Sequence, residues 1–262
     1  MSVERFYDEL APFYHLIFLD WEATIRQEAE ALDRVIRERW GDGRLSILDV
    51  ACGIGTQALG LAALGHRVTA SDISAGEIER ARREAASRGL AVRFSVADMR
   101  QAAAHHQEQF DLVIACDNSV AHLLTDEDLL AAFGQLLACT RPGGGCLISV
   151  RDYDREERAG VQVKPYGIRD KGGVRYLLWQ VWEFHGPVYD VAFYFVEDRG
   201  GPDCATRVMR SQLYAVGTDK LMELMRQAGF AQVERLDGRF YQPILVGRRA
   251  AESGAAADRD RM

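Results

Sequence analysis

The sequence lacks an apolar run long enough to cross a membrane. Its first ten residues, MSVERFYDEL, contain four charged side chains and no apolar core of the kind that a secretory signal needs. No later stretch approaches the roughly 18 consecutive apolar residues of a transmembrane helix. We therefore expect a cytoplasmic protein without a membrane partner.

The sequence also lacks an excess of positive charge. Its 262 residues include 39 Asp and Glu against 32 Lys and Arg, which gives a formal net charge of -7. Nucleic acids are bound mainly by clustered Lys and Arg, so we expect no nucleic-acid partner and a small-molecule substrate instead. Because 48% of the residues are hydrophobic, most of the chain can bury a core and is not disordered.

A C-x-x-C pair is missing as well. The chain has five cysteines, which are Cys52, Cys116, Cys139, Cys146 and Cys204. An odd number at these spacings suggests neither a zinc site nor a disulfide framework. We expect reduced, mostly buried thiols and no metal.

Short apolar segments alternate with helical ones over the first 150 residues. The pattern predicts strands at 45–50, 67–71, 92–96, 110–115 and 146–150, with the RPGGG segment turning the chain before the last of them. Two further strands are predicted near Val233 and at 241–246. This alternation is typical of a Rossmann-like, doubly wound α/β fold, here with a mostly parallel seven-stranded sheet.

The pattern changes after residue 150. The segments 174–184, 188–197 and 206–213 are rich in aromatic and β-branched residues and are separated by turn residues. They predict a three-stranded antiparallel β insert, after which a helix and the last two strands complete the main sheet.

The segment LDVACGIGTQA poses the question of the cofactor. Gly53, Gly55 and Ala58 fit the G-x-G-x-x-A loop that approaches the pyrophosphate of a dinucleotide. S-adenosylmethionine passes the same loop and needs glycine for the same reason, because a Cβ atom would fill its space. Asp72, at the end of the second strand, suits the ribose hydroxyls of either cofactor.

Two other features favour S-adenosylmethionine. Asp98 and Met99 follow the third strand and offer an acceptor for the adenine amino group and a thioether for its face. The sequence has no Tyr-x-x-x-Lys pair for hydride transfer. A nicotinamide-dependent oxidoreductase is therefore the less favoured alternative.

Four segments together resemble one enzyme family. ILDVACGIGT, VTASDIS, FDLVIACDNSVAHL and RPGGGCLISVRDYD, in this order, resemble the class I S-adenosylmethionine-dependent methyltransferases of the glycine and glycine/sarcosine N-methyltransferase type. The opening FYDELAPFYHLIFLDW and the late FYQPILVGRR also resemble bacterial members. The resemblance implies methyl transfer from S-adenosylmethionine to a small molecule, with S-adenosylhomocysteine as the product.

The resemblance also implies roles for individual residues. Those implied at the cofactor are Tyr14, Trp21, Arg26, Asp49, Gly53, Gly55, Asp72, Ile73, Asp98, Met99 and Cys116. Those implied at the substrate are Tyr7, Asn118, Arg151, Tyr153 and Tyr241, and the catalytic candidates are His122, Tyr14 and Asp117. Arg151 and Tyr153 match the arginine and tyrosine of an H-R-N-Y-D segment that grips the glycine carboxylate. Val150 and Asp152 depart from it, so the acceptor need not be glycine.

Several of these residues also have a purely structural interpretation. Asp49 can hold its turn through backbone N–H groups, Asp98 can favour a helix dipole, and His122 can cap local structure. The N-terminal aromatic residues can pack a helix on the sheet, and Arg151 can be a surface charge in the RDYDREER run.

The expected organisation has five parts. Residues 1–44 form a helical lid, 45–150 the S-adenosylmethionine-binding core, 151–215 the β insert on the substrate side, 216–249 the completion of the core sheet, and 250–262 a disordered tail. Whether the protein is a monomer or a homo-oligomer does not follow from the sequence.

The chemistry of the transfer bears on which kind of nitrogen can accept the methyl group. An aliphatic amine with a pKa of about 10.4 costs roughly 4 to 5 kcal/mol to deprotonate at pH 7, whereas a weakly basic ring nitrogen avoids most of that cost. The resemblance implies an N-methyltransferase of an amine, amino acid or N-heterocycle, and the proton cost favours a nitrogen that is easily deprotonated, with azapteridine antibiotics such as toxoflavin as one acceptor class to test. The alternative is an O- or C-methyltransferase on the same fold.

Overall fold

The computed structural model describes residues 2–251, so most of the tail predicted at 250–262 lies outside the described residues. The helices are α1 (Val3–Leu10), α2 (Trp21–Trp40), α3 (Thr56–Ala63), α4 (Ala75–Ser87), α5 (Ala102–His106), α6 (Asp126–Cys139) and α7 (Thr218–Gln227), with short 3-10 turns at Tyr14–Ile17, Met99–Gln101 and Ser119–His122. No described helix is both long enough and apolar enough to span a bilayer.

The strands form two separate sheets. In chain order they are β1 (Ser46–Asp49), β2 (Arg67–Asp72), β3 (Arg93–Val96), β4 (Phe110–Ala115), β5 (Thr140–Ser149), β6 (Val161–Lys171), β7 (Val174–His185), β8 (Val188–Asp198), β9 (Cys204–Tyr214), β10 (Ala231–Leu236) and β11 (Ile244–Arg248). The main sheet has the order β10-β11-β5-β4-β1-β2-β3, in which β1 to β5 are parallel and β10 and β11 pair antiparallel. The predicted mostly parallel seven-stranded sheet is confirmed.

The predicted turn at RPGGG is wrong, because these residues belong to β5. A Cβ atom on Gly145 would overlap the indole ring of Trp40, and one on Gly144 would come within 2.7 Å of the Asp111 carbonyl oxygen. The glycines therefore leave space for the end of α2 to pack on the sheet. The strand continues through them with an irregular register against β4.

The insert has four strands, and the prediction missed β6. This strand lies at the edge of the second sheet, whose order is β6-β7-β8-β9. Its sequence, VQVKPYGIRDK, alternates poorly because a register shift falls between Pro165 and Gly167. Proline and bulges are typical of edge strands, which is why the apolar pattern does not reveal this one.

Helix α1 packs between the insert sheet and the start of α4. Phe6 and Leu10 share a buried cluster with Phe193 and Phe195 of the insert. On the next face of the helix, Asp8 accepts hydrogen bonds from the Ser74 hydroxyl at 2.6 Å and the Gly76 amide at 2.9 Å, at the start of α4. The N-terminal helix thus closes over the carboxyl ends of the parallel strands.

We expect Gly145→Ala to lower the free energy of unfolding by about 1–3 kcal/mol, because the added methyl group overlaps the Trp40 ring. The matched control is Gly134→Ala inside α6, where a Cβ atom meets nothing within 4 Å. That control should gain roughly 0.5–1 kcal/mol through helix propensity. Urea unfolding of the three proteins measures both effects, and a stability loss shared by both variants would contradict the packing role.

Candidate active site

A cavity of about 350 Å³ opens at the carboxyl ends of β1, β2, β3 and β4. Loops that follow parallel strands meet at this edge of the sheet, which is where ligands of such folds bind. The residues implied at the cofactor that line it are Tyr14, Gly53, Asp72, Ile73, Asp98, Met99 and Cys116. We call this space the donor cavity.

The glycine loop needs its glycines for backbone conformation. Gly53 and Gly55 have φ angles of 53° and 97°, in the left-handed region that glycine adopts without strain. Gly53 lines the donor cavity, but Gly55 does not, because it caps the start of α3 and faces the Leu59 side chain. Gly55 therefore has a structural role in this loop, and its implied contact with the cofactor stays a prediction.

Asp72 is held in a fixed orientation. Its Oδ2 atom accepts the Gly53 amide and its Oδ1 atom accepts the Ser74 amide, both at 2.9 Å. Burial raises the pKa of Asp72, and these backbone hydrogen bonds oppose the rise. Each carboxylate oxygen can accept a second hydrogen bond, so the side chain can also bind ribose hydroxyls in the cavity.

Asp49 lies behind the loop and does not line the donor cavity. Its Oδ1 atom accepts the Ala51 amide at 3.2 Å, while its Oδ2 atom is buried without a hydrogen-bond partner among the described residues. Burial raises the pKa of Asp49 to about 7. This position fits the interpretation in which Asp49 holds the turn.

Two residues of α2 implied at the cofactor do not reach the donor cavity. Trp21 is buried one layer behind it, where its Nε1 atom donates to the Thr56 hydroxyl at 2.9 Å. Arg26 is exposed, because the buried face of the helix contains Trp21, Ile25 and Glu28, at helical spacing. The side chain that α2 brings towards the site is Glu28 instead of Arg26.

The Asp98 carboxylate forms an ion pair with Arg100. Its carboxylate accepts hydrogen bonds from the amide and guanidinium of Arg100. Burial acts to raise the pKa of Asp98, but the Arg100 hydrogen bonds outweigh it and hold the pKa below its usual value. Arg100 lines the donor cavity and also pairs with Asp128, at 3.0 Å. The sequence analysis did not single out Arg100.

A second cavity of about 110 Å³ lies between α1, the insert and the loop after β4. Aromatic rings form much of its wall, and its polar groups include Asn118, Arg151, Gln180 and Gln242. We call it the acceptor cavity. Four side chains line both cavities, and these are Tyr7, Tyr14, Asp117 and His122. The two spaces therefore meet at these residues.

His122 is buried at this junction. Its Nε2 atom lies 2.7 Å from the Tyr7 hydroxyl, and its Nδ1 atom lies 3.5 Å from the Ser211 hydroxyl. Burial lowers the pKa of His122 to about 4 and raises that of Tyr7 well above 10, so the pair is neutral near pH 7. The low pKa makes His122 a weak base, so its position suits a hydrogen-bonding role beside Tyr7 better than proton transfer.

Asp117 and Asn118 adopt a strained backbone. Their φ angles are 59° and 67°, and such a conformation costs about 1–3 kcal/mol in a residue other than glycine. The Asp117 amide donates to the Ser149 hydroxyl at 2.7 Å, which helps to hold the turn. The Asp117 carboxylate accepts a hydrogen bond from Tyr241, whose ring is otherwise 58% exposed. Burial raises the pKa of Asp117, and this hydrogen bond opposes the rise.

Arg151 points into the acceptor cavity. Its guanidinium carbon lies 4.6 Å from the centre of the Trp182 ring, its Nε atom is buried without a partner among the described residues, and its closest carboxylate is Glu156 at 3.6 Å. Asn118 accepts the Arg151 amide at 3.0 Å and donates to the Tyr153 hydroxyl at 2.8 Å. Asn118 thus positions the chain that follows β5.

Tyr153 is fully buried and lines neither cavity. Its hydroxyl lies 3.0 Å from that of Tyr189, so it supports the wall of the acceptor cavity from behind. The resemblance implies that Tyr153 lies at the substrate, but its position behind the cavity wall does not match that role. Tyr166 and Trp182 of the insert form that wall instead, and the sequence analysis did not assign them, because alternation in an insert strand does not tell which face meets the core.

The cysteines and acidic groups show no metal site in the described part of the chain. No group of three or more His, Cys, Asp or Glu side chains there is arranged to hold a metal ion. The five cysteines are unpaired, and four of them are buried.

Comparison with known sequences agrees with the resemblance. Residues 47–144 match the family model of a methyltransferase domain. A glycine/sarcosine N-methyltransferase of Parasynechococcus marenigrum is 32% identical over 146 residues, which cover 56% of this chain and 51% of that protein. A ubiquinone biosynthesis O-methyltransferase of Methylocella silvestris is 38% identical over 100 residues, covering 38% and 37% of the two chains. The chain spans about half or less of the length of these relatives.

Comparison with solved structures extends over most of the chain. DesVI of Streptomyces venezuelae aligns with a TM-score of 0.78 and 21% identity over 92% of this chain and 98% of that one. The sugar N-methyltransferase KedS8 of a Streptoalloteichus species aligns with a TM-score of 0.73 and 20% identity over 86% and 88%. These structures confirm the predicted Rossmann-like fold class. The family model and the N-methyltransferase relative confirm the resemblance to S-adenosylmethionine-dependent methyltransferases.

We expect Asp49→Asn to change how stability depends on pH. The folded-state pKa of Asp49 is raised to about 7, above the roughly 3.9 of an unfolded chain, so between these values the folded state binds the extra proton. Wild-type stability should therefore fall relative to the variant as pH rises through this window, by about 1–4 kcal/mol. Urea unfolding at pH 5, 6, 7 and 8 tests this, and parallel curves for the two proteins would contradict it.

Proposed function

We propose that this chain is an S-adenosylmethionine-dependent methyltransferase that methylates a nitrogen atom of a small molecule. The observation that carries the proposal is the meeting of the two cavities at Tyr7, Tyr14, Asp117 and His122. A donor in the larger cavity and an acceptor in the smaller one would have their reacting atoms on either side of this junction. We also propose that residues 1–44 act as a lid, since Tyr7 and Tyr14 lie in both cavities.

Methyl transfer from a sulfonium is an in-line displacement in which the carbon–sulfur bond breaks as the bond to the acceptor forms. The thioether leaves as a neutral group, so it needs no acid. The main task of the protein is to hold the acceptor atom about 3 Å from the methyl carbon. A junction lined by four side chains from three segments of the chain is suited to this task, because it limits the direction from which the acceptor atom can approach the methyl carbon.

The charges around the glycine loop favour a cationic cofactor over a dinucleotide. Glu77 is fully buried next to Gly53, and both of its carboxyl oxygens lack a hydrogen-bond partner among the described residues. Asp49 and Asp72 lie close by, because they accept hydrogen bonds from the Ala51 and Gly53 amides of the same loop. Burial raises the pKa of Glu77, so its neutral form is favoured in the absence of a positive charge. A sulfonium or ammonium group would stabilise the ionised carboxylates and be attracted to them, whereas a pyrophosphate would disfavour their ionisation further. A nicotinamide-dependent oxidoreductase is therefore the weaker proposal.

Nitrogen is the proposed acceptor atom because N-methyltransferases are among the relatives, and Asp117 at the junction can take a proton from an amine. Asp117 presents a carboxylate there, and His122 is a neutral imidazole hydrogen-bonded to Tyr7. Removal of the proton from an amine would then be assisted during transfer. The names of the N-methyltransferase relatives support nitrogen, while the O-methyltransferase relatives keep oxygen as the alternative.

The acceptor cavity supports a small, planar acceptor with an anionic or carbonyl group. Its volume is small, its walls include the rings of Tyr166, Trp182 and Phe193, and the Arg151 guanidinium lies inside with a free Nε atom. Aromatic walls suit a planar ring, and a guanidinium binds a carboxylate or carbonyl oxygen well. An N-heterocycle or an aromatic amino acid fits this description.

The proposal is tested first by isothermal titration calorimetry with S-adenosylhomocysteine. We expect binding to the purified protein and none with NAD(H). Incubation with methyl-labelled donor and a metabolite extract then identifies the product, and NMR of that product identifies the methylated atom. A folded protein that binds NAD(H) and not S-adenosylhomocysteine would contradict the proposal, and a label on oxygen would favour the alternative.

We expect Arg151→Ala to raise the acceptor KM about 10- to 100-fold, because a buried hydrogen bond to a charged group contributes about 1.5–3 kcal/mol. Donor affinity should stay within about twofold, since Arg151 lies outside the donor cavity. The control is Arg155→Ala, whose 82% exposed side chain lies outside both cavities. If the affinity for the donor also fell strongly in the Arg151 variant, the assignment of Arg151 to the acceptor would be wrong.

A further inference from the structure

The insert sheet buries one of its two faces. Side chains alternate along β6 to β9, and one set of positions, which includes Trp182, Phe193 and Phe195, belongs to buried clusters shared with α1 and the main sheet. The central residues of the opposite side belong to no buried cluster of the described chain. We call this opposite side the outer face.

The outer face is apolar at its centre. Strand pairing sets its central residues in three rows, each running from β6 to β9: Val163, Val181, Ala192 and Arg210; Pro165, Trp179, Tyr194 and Val208; and Ile168, Leu177, Val196 and Thr206. Val163 and Ile168 are 63% and 56% exposed, and Trp179 stacks on Tyr194 with ring centres 5.2 Å apart. A contiguous apolar patch of this kind marks an interaction surface.

Charged residues border the apolar centre at both ends. Glu183 and Asp190 lie beyond the first row, and Asp170, Arg175 and Asp198 lie beyond the third. An apolar centre with a charged rim is typical of an interface between proteins. An anionic lipid surface would require a basic rim instead, and this rim is mostly acidic.

The outer face also has the area that a dimer needs. It is built from four strands of 11 or 12 residues. With strands about 4.8 Å apart and a rise of about 3.4 Å per residue, such a sheet covers about 700 Å². A stable interface buries about 800 Å² on each partner. One whole face of the insert sheet therefore matches one side of a dimer interface.

Two opposite charges on the outer face favour a second copy of this chain as the partner. The ion pairs of this face join Arg175 to Asp170 and His185 to Asp190, which leaves Glu183 and Arg210 without one among the described residues. In a two-fold interface each contact occurs twice, with the roles of the two copies exchanged. A surface that meets itself therefore needs both charges on the same face.

The positions of these two residues are compatible with such an interface. Glu183 and Arg210 lie two strands and one row apart. A two-fold axis in the plane of the interface, passing midway between them, brings Glu183 of each copy opposite Arg210 of the other.

We propose that this protein forms a dimer in which the outer faces of two copies pack on each other, with Glu183 of each copy beside Arg210 of the other. The Trp179–Tyr194 stack lies in the middle row and forms the centre of the interface. The same strands carry Trp182 and Phe193 on their other side, where both line the acceptor cavity. The second copy therefore supports the wall of that cavity from behind.

Sedimentation equilibrium of the wild-type chain over a range of micromolar concentrations tests the dimer. We expect a mass of twice the 29.3 kDa of one chain. The mass of a single chain at every concentration would overturn the proposal and leave the outer face to a partner of another kind.

Val163→Glu tests which surface forms the dimer. It should raise the dimer Kd at least about 100-fold, because an unpaired charge would be buried in the apolar centre. Val163 is exposed in the single chain, so the variant should keep the circular dichroism spectrum of the wild type. Ile168→Glu repeats the test at a second exposed position.

The matched control is Val96→Glu. Val96 is 45% exposed on the edge strand β3, outside the outer face, so this variant should remain a dimer. A dimer that persists in Val163→Glu and Ile168→Glu, or that is lost equally in Val96→Glu, would overturn the proposal.

Charge reversal tests the arrangement of the two copies. Glu183→Arg and Arg210→Glu each bring like charges together at both contacts and should raise the dimer Kd about 3- to 30-fold. The double variant restores opposite charges and should return to within about threefold of wild type. Weakening that adds up in the double variant would overturn this arrangement.

Discussion

The Asp72 carboxylate ties together the two loops on which the donor cavity depends. It accepts the amide of Gly53 after β1 and the amide of Ser74 before α4. Ser74 in turn donates its hydroxyl to Asp8 of α1. One chain of hydrogen bonds therefore runs from the glycine loop to the N-terminal helix, and that helix carries Tyr7 to His122. The junction between the cavities depends on this chain of hydrogen bonds, although the junction itself lies at the end of another strand, β4.

The sequence predicts the main sheet and the strand ends well, because both depend on local patterns. Short apolar runs between helical segments specify buried parallel strands, and the polar residues that follow them must meet at one edge. Asp72, Asp98 and Cys116 line the donor cavity for that reason. Gly55 follows the same strand as Gly53 but faces away, because successive residues of a tight turn point in different directions.

The sequence predicts the insert and the N-terminal helices less well, because their side chains depend on tertiary packing. Which face of α2 meets the core is decided by Trp21 and Ile25, and this choice turns Arg26 to solvent and Glu28 inward. In the same way, Tyr153 is drawn behind the acceptor cavity by its hydrogen bonds to Asn118 and Tyr189. A family motif identifies such residues but does not determine the direction in which each side chain points.

Under the proposed function, the buried acids would give the site a preference between donor and product. In the absence of a cation, desolvation raises the pKa values of Glu28, to about 8, and of Asp117, which disfavours their charged forms. A sulfonium nearby would favour the ionised carboxylates and would itself be stabilised by them. This attraction disappears once the methyl group has left, because the product thioether is neutral, while the ammonium group remains bound. The same acids that destabilise the empty site would therefore favour the donor over the product and assist product release.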